Sequence, residues 1–153
     1  MKNLLFIITL LSLSSNAINL EGIYNVIKYV ESNNKTTAIG DNGEAFGIVQ
    51  IHKICVDDVN RIYNTDYKHQ DVFNEACAIE IFNLYLIEGI RLYVLKYKRE
   101  PTEQDIVRFW NGGIYSGHLR KTTLKYWYKY LRVKFKLNME GKSENRTNKK
   151  DNL

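Results

Sequence analysis

Glu31 stands where a helical apolar repeat gives way to a polar loop dotted with glycine, in VESNNKTTAIGDNGEAFGIVQIH, residues 30–52. A carboxylate in the last turn of a helix faces the negative end of the helix dipole, which disfavours its charged form and raises its pKa. A general acid needs that state, because it must keep a proton near neutral pH and deliver it to a leaving oxygen. Gly47 and Gln50 close the loop. The glycine allows close backbone approach, and the glutamine offers a donor and an acceptor to a polar ligand. Far downstream, FWNGG (109–113) sets an indole, Trp110, beside a carboxamide, Asn111. Aromatic faces and neutral amides suit a hydroxyl-rich ligand such as a sugar chain. Asp41 and Glu44, in the same loop as the acid, are candidate second carboxylates for a reaction that works across a glycosidic bond.

Five helical segments must position these groups. Ile23, Val26, Ile27 and Val30 recur at helical spacing, predicting a helix over residues 20–32 that ends just past Glu31. Residues 33–44 read as loop, with a turn at Asp41-Asn42-Gly43. Helical spacing resumes near Ile48 and runs through Ile54, Val59 and Ile62, and AFGIVQI is long enough only for a minor strand or a helix start. The longest segment, residues 72–97, offers Phe73, Ala76, Cys77, Ile79, Phe82, Leu86 and Ile90 as a buried stripe. Pro101 opens a short helix carrying Val107 and Trp110, and a last helix spans residues 119–137. The class predicted is mainly α, with a minor or absent β element.

The chain has 153 residues, 44% of them hydrophobic, enough for one core and one domain. Residues 1–17 carry Lys2, an apolar run from Leu4 to Leu13 and small residues at Ser15 and Ala17, the pattern of a cleaved secretory signal. That run is shorter than the roughly 20 residues a bilayer span requires. Export to a periplasmic, cell-envelope or extracellular space is therefore expected, with the domain over 18–138 and an unstructured basic tail over 139–153. The net charge is +5, and loss of Lys2 would leave +4. The excess sits toward the C-terminus and suits a cell wall, a nucleic acid or a lipid headgroup surface. The modest charge and the export signal weigh against nucleic acid. Cys55 and Cys77 are the only cysteines. An even count in an exported chain fits one disulfide, with two buried thiols as the alternative. No cysteine or histidine spacing matches a metal site, so no metal or cofactor is expected, and His52, His69 and His118 read as surface or capping residues.

In this order and spacing the motifs resemble the catalytic domain of soluble lytic transglycosylases and goose-type lysozymes, including small exported members associated with secretion and conjugation systems and with phages. Glu31-Ser32 and GEAFGIVQI carry the resemblance, the latter where the family has a Gly-Leu-Met-Gln type motif. So does FWNGG, where the family commonly has Ala-Tyr-Asn-Ala-Gly. TLKYW, a threonine three residues before Tyr126, is a softer match. The resemblance covers residues 23 to about 133 and implies a lysozyme-like fold.

It implies that Glu31 is the catalytic acid and base and that Ser32 orients it or the substrate. Gln50, Trp110 and Asn111 would line or hold a glycan cleft, and Tyr126 would hydrogen-bond near Glu31. The implied reaction cleaves the β-1,4 bond between N-acetylmuramic acid and N-acetylglucosamine in peptidoglycan, without cofactor. Attack by the muramyl 6-hydroxyl would leave a 1,6-anhydro end. The implied partners are glycan strands and a secretion, conjugation or phage entry or lysis apparatus, for a protein acting as a monomer. In such a fold the helices bearing Cys55 and Cys77 pack together, so a bridge between them would pin the cleft to the core. Trp110 replaces the usual tyrosine, and Val49 the usual methionine. Two other readings stay open: a muramidase that hydrolyses the same bond, and a secreted module that binds glycan without cutting it.

Overall fold

The computed structural model describes the backbone of residues 18–150 and side chains as far as residue 142. The signal segment read in residues 1–17 and the last three residues of the expected tail lie outside the described residues. Five helices and one small sheet make up the described fold, so the chain is mainly α with a minor β element.

Helix α1 (Leu20–Ser32) starts at Asn19, whose side chain accepts the Gly22 N–H at 2.8 Å, and buries Ile23, Tyr24, Val26, Ile27 and Val30. Asn33 ends it in the left-handed conformation, with its N–H returned to the Lys28 and Tyr29 carbonyls. Three two-residue strands follow, β1 (Ile39–Gly40), β2 (Ala45–Phe46) and β3 (Ile51–His52), in an antiparallel sheet of order β1-β2-β3. The helix expected from Ile48 therefore begins later, as α2 (Lys53–Tyr63), because the chain first turns back through Gly47–Gln50 to make β3. Phe46 stacks on His69 at 4.0 Å, and the His69 ring bonds the Ile51 carbonyl at 2.7 Å, which fastens the sheet to the turn His69–Phe73.

The long helix α3 (Glu75–Tyr97) is central. Its buried face is Ala78, Ile81, Phe82, Tyr85, Leu86, Gly89 and Tyr93 rather than the predicted stripe, of which only Phe82 and Leu86 are fully buried and Ala76 is exposed. The helix is apolar on more than one side, so periodicity alone could not choose its inner face. Thr102 and Asp105 cap α4 (Glu103–Gly112) reciprocally. The last helix, α5 (Thr122–Lys150), runs through the segment expected to lack structure, although Leu137 is its last described residue packed on the core. Tyr130 and Lys134 both reach Glu103, fastening α5 to the start of α4.

Cys55 and Cys77 are free thiols, which corrects the expected disulfide. Cys55 is buried and Cys77 half-buried. The two helices that carry them do pack against each other, yet the thiols stay unbonded.

Candidate active site

A cleft of about 370 Å³ opens between the sheet and α4, lined by Glu31, Gly40, Asp41, Ala45, Gln50, His52, Trp110 and Asn111. The sheet builds one wall in register. Gly40 pairs with Ala45, and Ala45 with His52, so two small residues and one imidazole form a row across three strands. Gln50 precedes β3 in the turn, and its side chain lines the same cleft.

Glu31 is half-buried at the end of α1. Two donors from different elements converge on one of its oxygens: the Tyr126 hydroxyl of α5 bonds Oε1 at 2.6 Å and the Trp110 indole N–H of α4 bonds the same atom at 3.2 Å. Oε2 has no hydrogen-bond partner among the described residues and belongs to a side chain lining the cleft. The carboxyl is therefore held by one oxygen, which leaves the other for chemistry. Its pKa is raised, as the helix-end argument predicted, but burial is the chief cause. The Tyr126 hydrogen bond, the Lys129 charge and the Trp110 hydrogen bond act in the opposite direction, while Asp41 raises it further.

Tyr126 supplies the largest of these opposing effects, so Tyr126→Phe is expected to push the Glu31 pKa further up. A carboxyl-carbon NMR titration reads it. An unchanged or lower pKa would contradict this balance.

The other predicted residues fall into three groups. Gln50 and Asn111 line the cleft with Glu31, and Trp110 donates to it. Gln50 spends its amide on structure: Nε2 donates to the Gly47 carbonyl at 2.8 Å and the Ala38 carbonyl at 3.3 Å, from a backbone at φ 54°. A side chain at Gly40 would collide with Gln50 Oε1, so these two residues are shaped to each other. Ser32 does not line the cleft. Its hydroxyl donates to the Ile48 carbonyl at 2.7 Å and accepts the Lys35 N–H at 2.9 Å, bolting the loop to the helix that carries Glu31. Of the two candidate second carboxylates, Asp41 lines the cleft, while Glu44 is exposed and does not.

His52 is exposed, as the sequence reading expects, and it also lines the cleft, donating to Asp41 Oδ2 at 2.9 Å. Its place in the cleft has no signal in the sequence, because two-residue strands leave no alternation to see. Thr123 explains the softer motif match. Buried, it accepts the Arg108 Nε–H at 2.9 Å and lies 2.8 Å from the Gly117 and Arg120 carbonyls, fixing the start of α5 against α4 and so Tyr126 against Trp110. Among the described residues, no group of three or more His, Cys, Asp or Glu side chains could hold a metal ion. A larger depression of about 520 Å³ lies between α1 and α5, but its charged pair, Glu103 and Lys134, is already satisfied internally. No family model matches the chain, and no curated protein matches it.

Proposed function

We propose that this protein is a lytic transglycosylase that cleaves peptidoglycan glycan strands between N-acetylmuramic acid and N-acetylglucosamine, with Glu31 as its single acid and base. The observation that carries the reading is Glu31 itself: a carboxyl with a raised pKa, anchored at Oε1 by two donors, at the edge of a cleft lined with amides. Burial favours the protonated form needed to start the reaction. Oε2 gives its proton to the glycosidic oxygen as the bond to the anomeric carbon breaks. The carboxylate so formed is stabilised by Tyr126 and Trp110, whose hydrogen bonds strengthen once Oε1 shares the negative charge. Glu31 then takes the proton of the muramyl 6-hydroxyl as that oxygen attacks the anomeric carbon, closing a 1,6-anhydro ring and restoring the acid. Atoms and protons balance without water.

The cleft chemistry supports a neutral, hydroxyl-rich ligand. Gln50, Asn111 and the imidazole of His52 offer hydrogen-bond capacity, and only Asp41 adds a second carboxylate. Release of soluble fragments from purified sacculi tests the reading. Activity with the wild type and none with Glu31→Gln supports it, whereas binding to sacculi without release would favour the glycan-binding module.

Asp41 is the specific observation that favours a hydrolytic outcome, since a second carboxylate across the bond could activate water. Its Oδ2 is engaged by His52, however, and the side chain is largely exposed. Asp41→Asn is therefore expected to keep activity within about tenfold of wild type and to keep anhydro products, against the 10²- to 10⁴-fold loss typical of a lost general acid. Steady-state release rates decide this. A loss as deep as that of Glu31→Gln would replace the single-acid mechanism with a two-carboxylate one.

A further inference from the structure

We propose that the outward face of α5 docks the protein on an anionic lipid bilayer surface. Residues 120–139 contain Arg120, Lys121, Lys125, Lys129, Arg132, Lys134 and Lys136 and no Asp or Glu. Lys134 is paired with Glu103, and Lys129 donates inward to the Val30 carbonyl at 2.6 Å. Lys121, Lys125 and Arg132 are exposed, with no ion pair or hydrogen bond among the described residues. At 3.6 residues per turn Lys125 and Arg132 fall within about 20° of one another on α5, and Lys121 immediately precedes its first turn. They form one basic stripe.

Beside the stripe lies an apolar one. Tyr128, Leu131, Phe135 and Met139 are all exposed, Phe135 at 67%. Their helical positions span about 80°, directly adjoining the basic residues. A helix face with Lys and Arg along one side and aromatic and aliphatic side chains along the other matches a bilayer interface, where phosphates meet acyl chains. A polyanion such as a nucleic acid would use the basic stripe and leave Leu131, Phe135 and Met139 in water. The apolar half therefore selects lipid. No helix among the described residues is long and apolar enough to cross a membrane, so α5 lies on the surface. Tyr126 and Phe135 are nine residues apart, about two and a half turns, and point in opposite directions. Docking through Phe135 thus leaves the Glu31 cleft open on the far side.

The test measures sedimentation of the full chain with phosphatidylglycerol–phosphatidylcholine vesicles and with phosphatidylcholine alone. Three proteins are compared: wild type, the triple variant Lys121→Gln/Lys125→Gln/Arg132→Gln, and Phe135→Ser. The apolar residues 1–17 are common to all three, so differences report on α5. The substituted side chains are exposed, and circular dichroism melting confirms that each variant is folded. The proposal expects wild type to prefer the anionic vesicles and the triple variant to bind them roughly a hundredfold more weakly, since each basic residue near such a surface contributes about fivefold. Phe135→Ser should weaken binding about tenfold or more. Equal binding by all three proteins would overturn the proposal. So would heparin binding that the triple variant loses and Phe135→Ser keeps, without vesicle binding, which would mark a polyanion site. Self-association broken by Phe135→Ser, again without vesicle binding, would mark a contact between copies and overturn it too.

Discussion

Glu31→Gln is expected to lower glycan cleavage by about a thousandfold while leaving the protein at least as stable as wild type at neutral pH. The first half follows from the loss of the proton that Oε2 delivers. The second follows from linkage. The Glu31 pKa is higher folded than unfolded, chiefly through burial, so the folded state binds the proton more tightly. That contribution is fully present below the ordinary glutamate pKa of about 4.3 and is lost as pH rises through the raised folded value. Wild type therefore carries a penalty at neutral pH that glutamine, always neutral, escapes. The substituted amide would still accept from Tyr126 and Trp110 through its carbonyl oxygen. Urea unfolding of both proteins at several pH values reads this. A stability gap favouring glutamine should open above the ordinary glutamate pKa and close below it. A variant clearly less stable than wild type at neutral pH would mean that Glu31 is held as a favourable carboxylate, against the acid role.

The second large effect is structural. Gly47 sits at φ 77°, and a Cβ there would lie 2.4 Å from the Val72 carbonyl oxygen. Gly47→Ala combines left-handed strain of about 1–2 kcal/mol with overpacking of about 1–3 kcal/mol, and is expected to destabilise the domain by roughly 2–5 kcal/mol. Relief requires the β2 end to move off the His69–Phe73 turn, and the Gly47 carbonyl that holds Gln50 would move with it. Cleavage should fall as well. Gly43→Ala is the control: Gly43 has φ 95°, but a Cβ there meets nothing within 4 Å, so only the left-handed strain of about 1–2 kcal/mol remains. Thermal melting separates the two. Equal melting points would show that the close approach to Val72 is not what requires glycine at 47.

These effects mark what the sequence made legible. Helix α1 was readable to its last residue because its apolar repeat is clean and two consecutive asparagines stop it. Glu31, Gln50, Trp110, Asn111 and Tyr126 were readable as types and order, and the fold brings all five to one place from α1, the sheet turn, α4 and α5. The sheet was harder. Strands of two residues show no alternation, so the row Gly40, Ala45, His52 and the pairing of His52 with Asp41 could not be inferred. Ser32 shows another limit: a residue beside the acid in sequence points to the loop carbonyl of Ile48, since neighbours on a helix diverge by about 100°. The disulfide expectation failed because an even cysteine count and the packing of two helices do not by themselves bring two thiols together.

The central claim is that one half-buried carboxyl, acting alone as acid and base, cuts glycan without water. Mass spectrometry of the fragments that the protein releases from purified peptidoglycan tests it most directly. The account predicts disaccharide-peptides one water lighter than hydrolytic products, abolished by Glu31→Gln and retained with Asp41→Asn. Fragments carrying a full reducing end, formed by wild type and lost with either substitution, would contradict it.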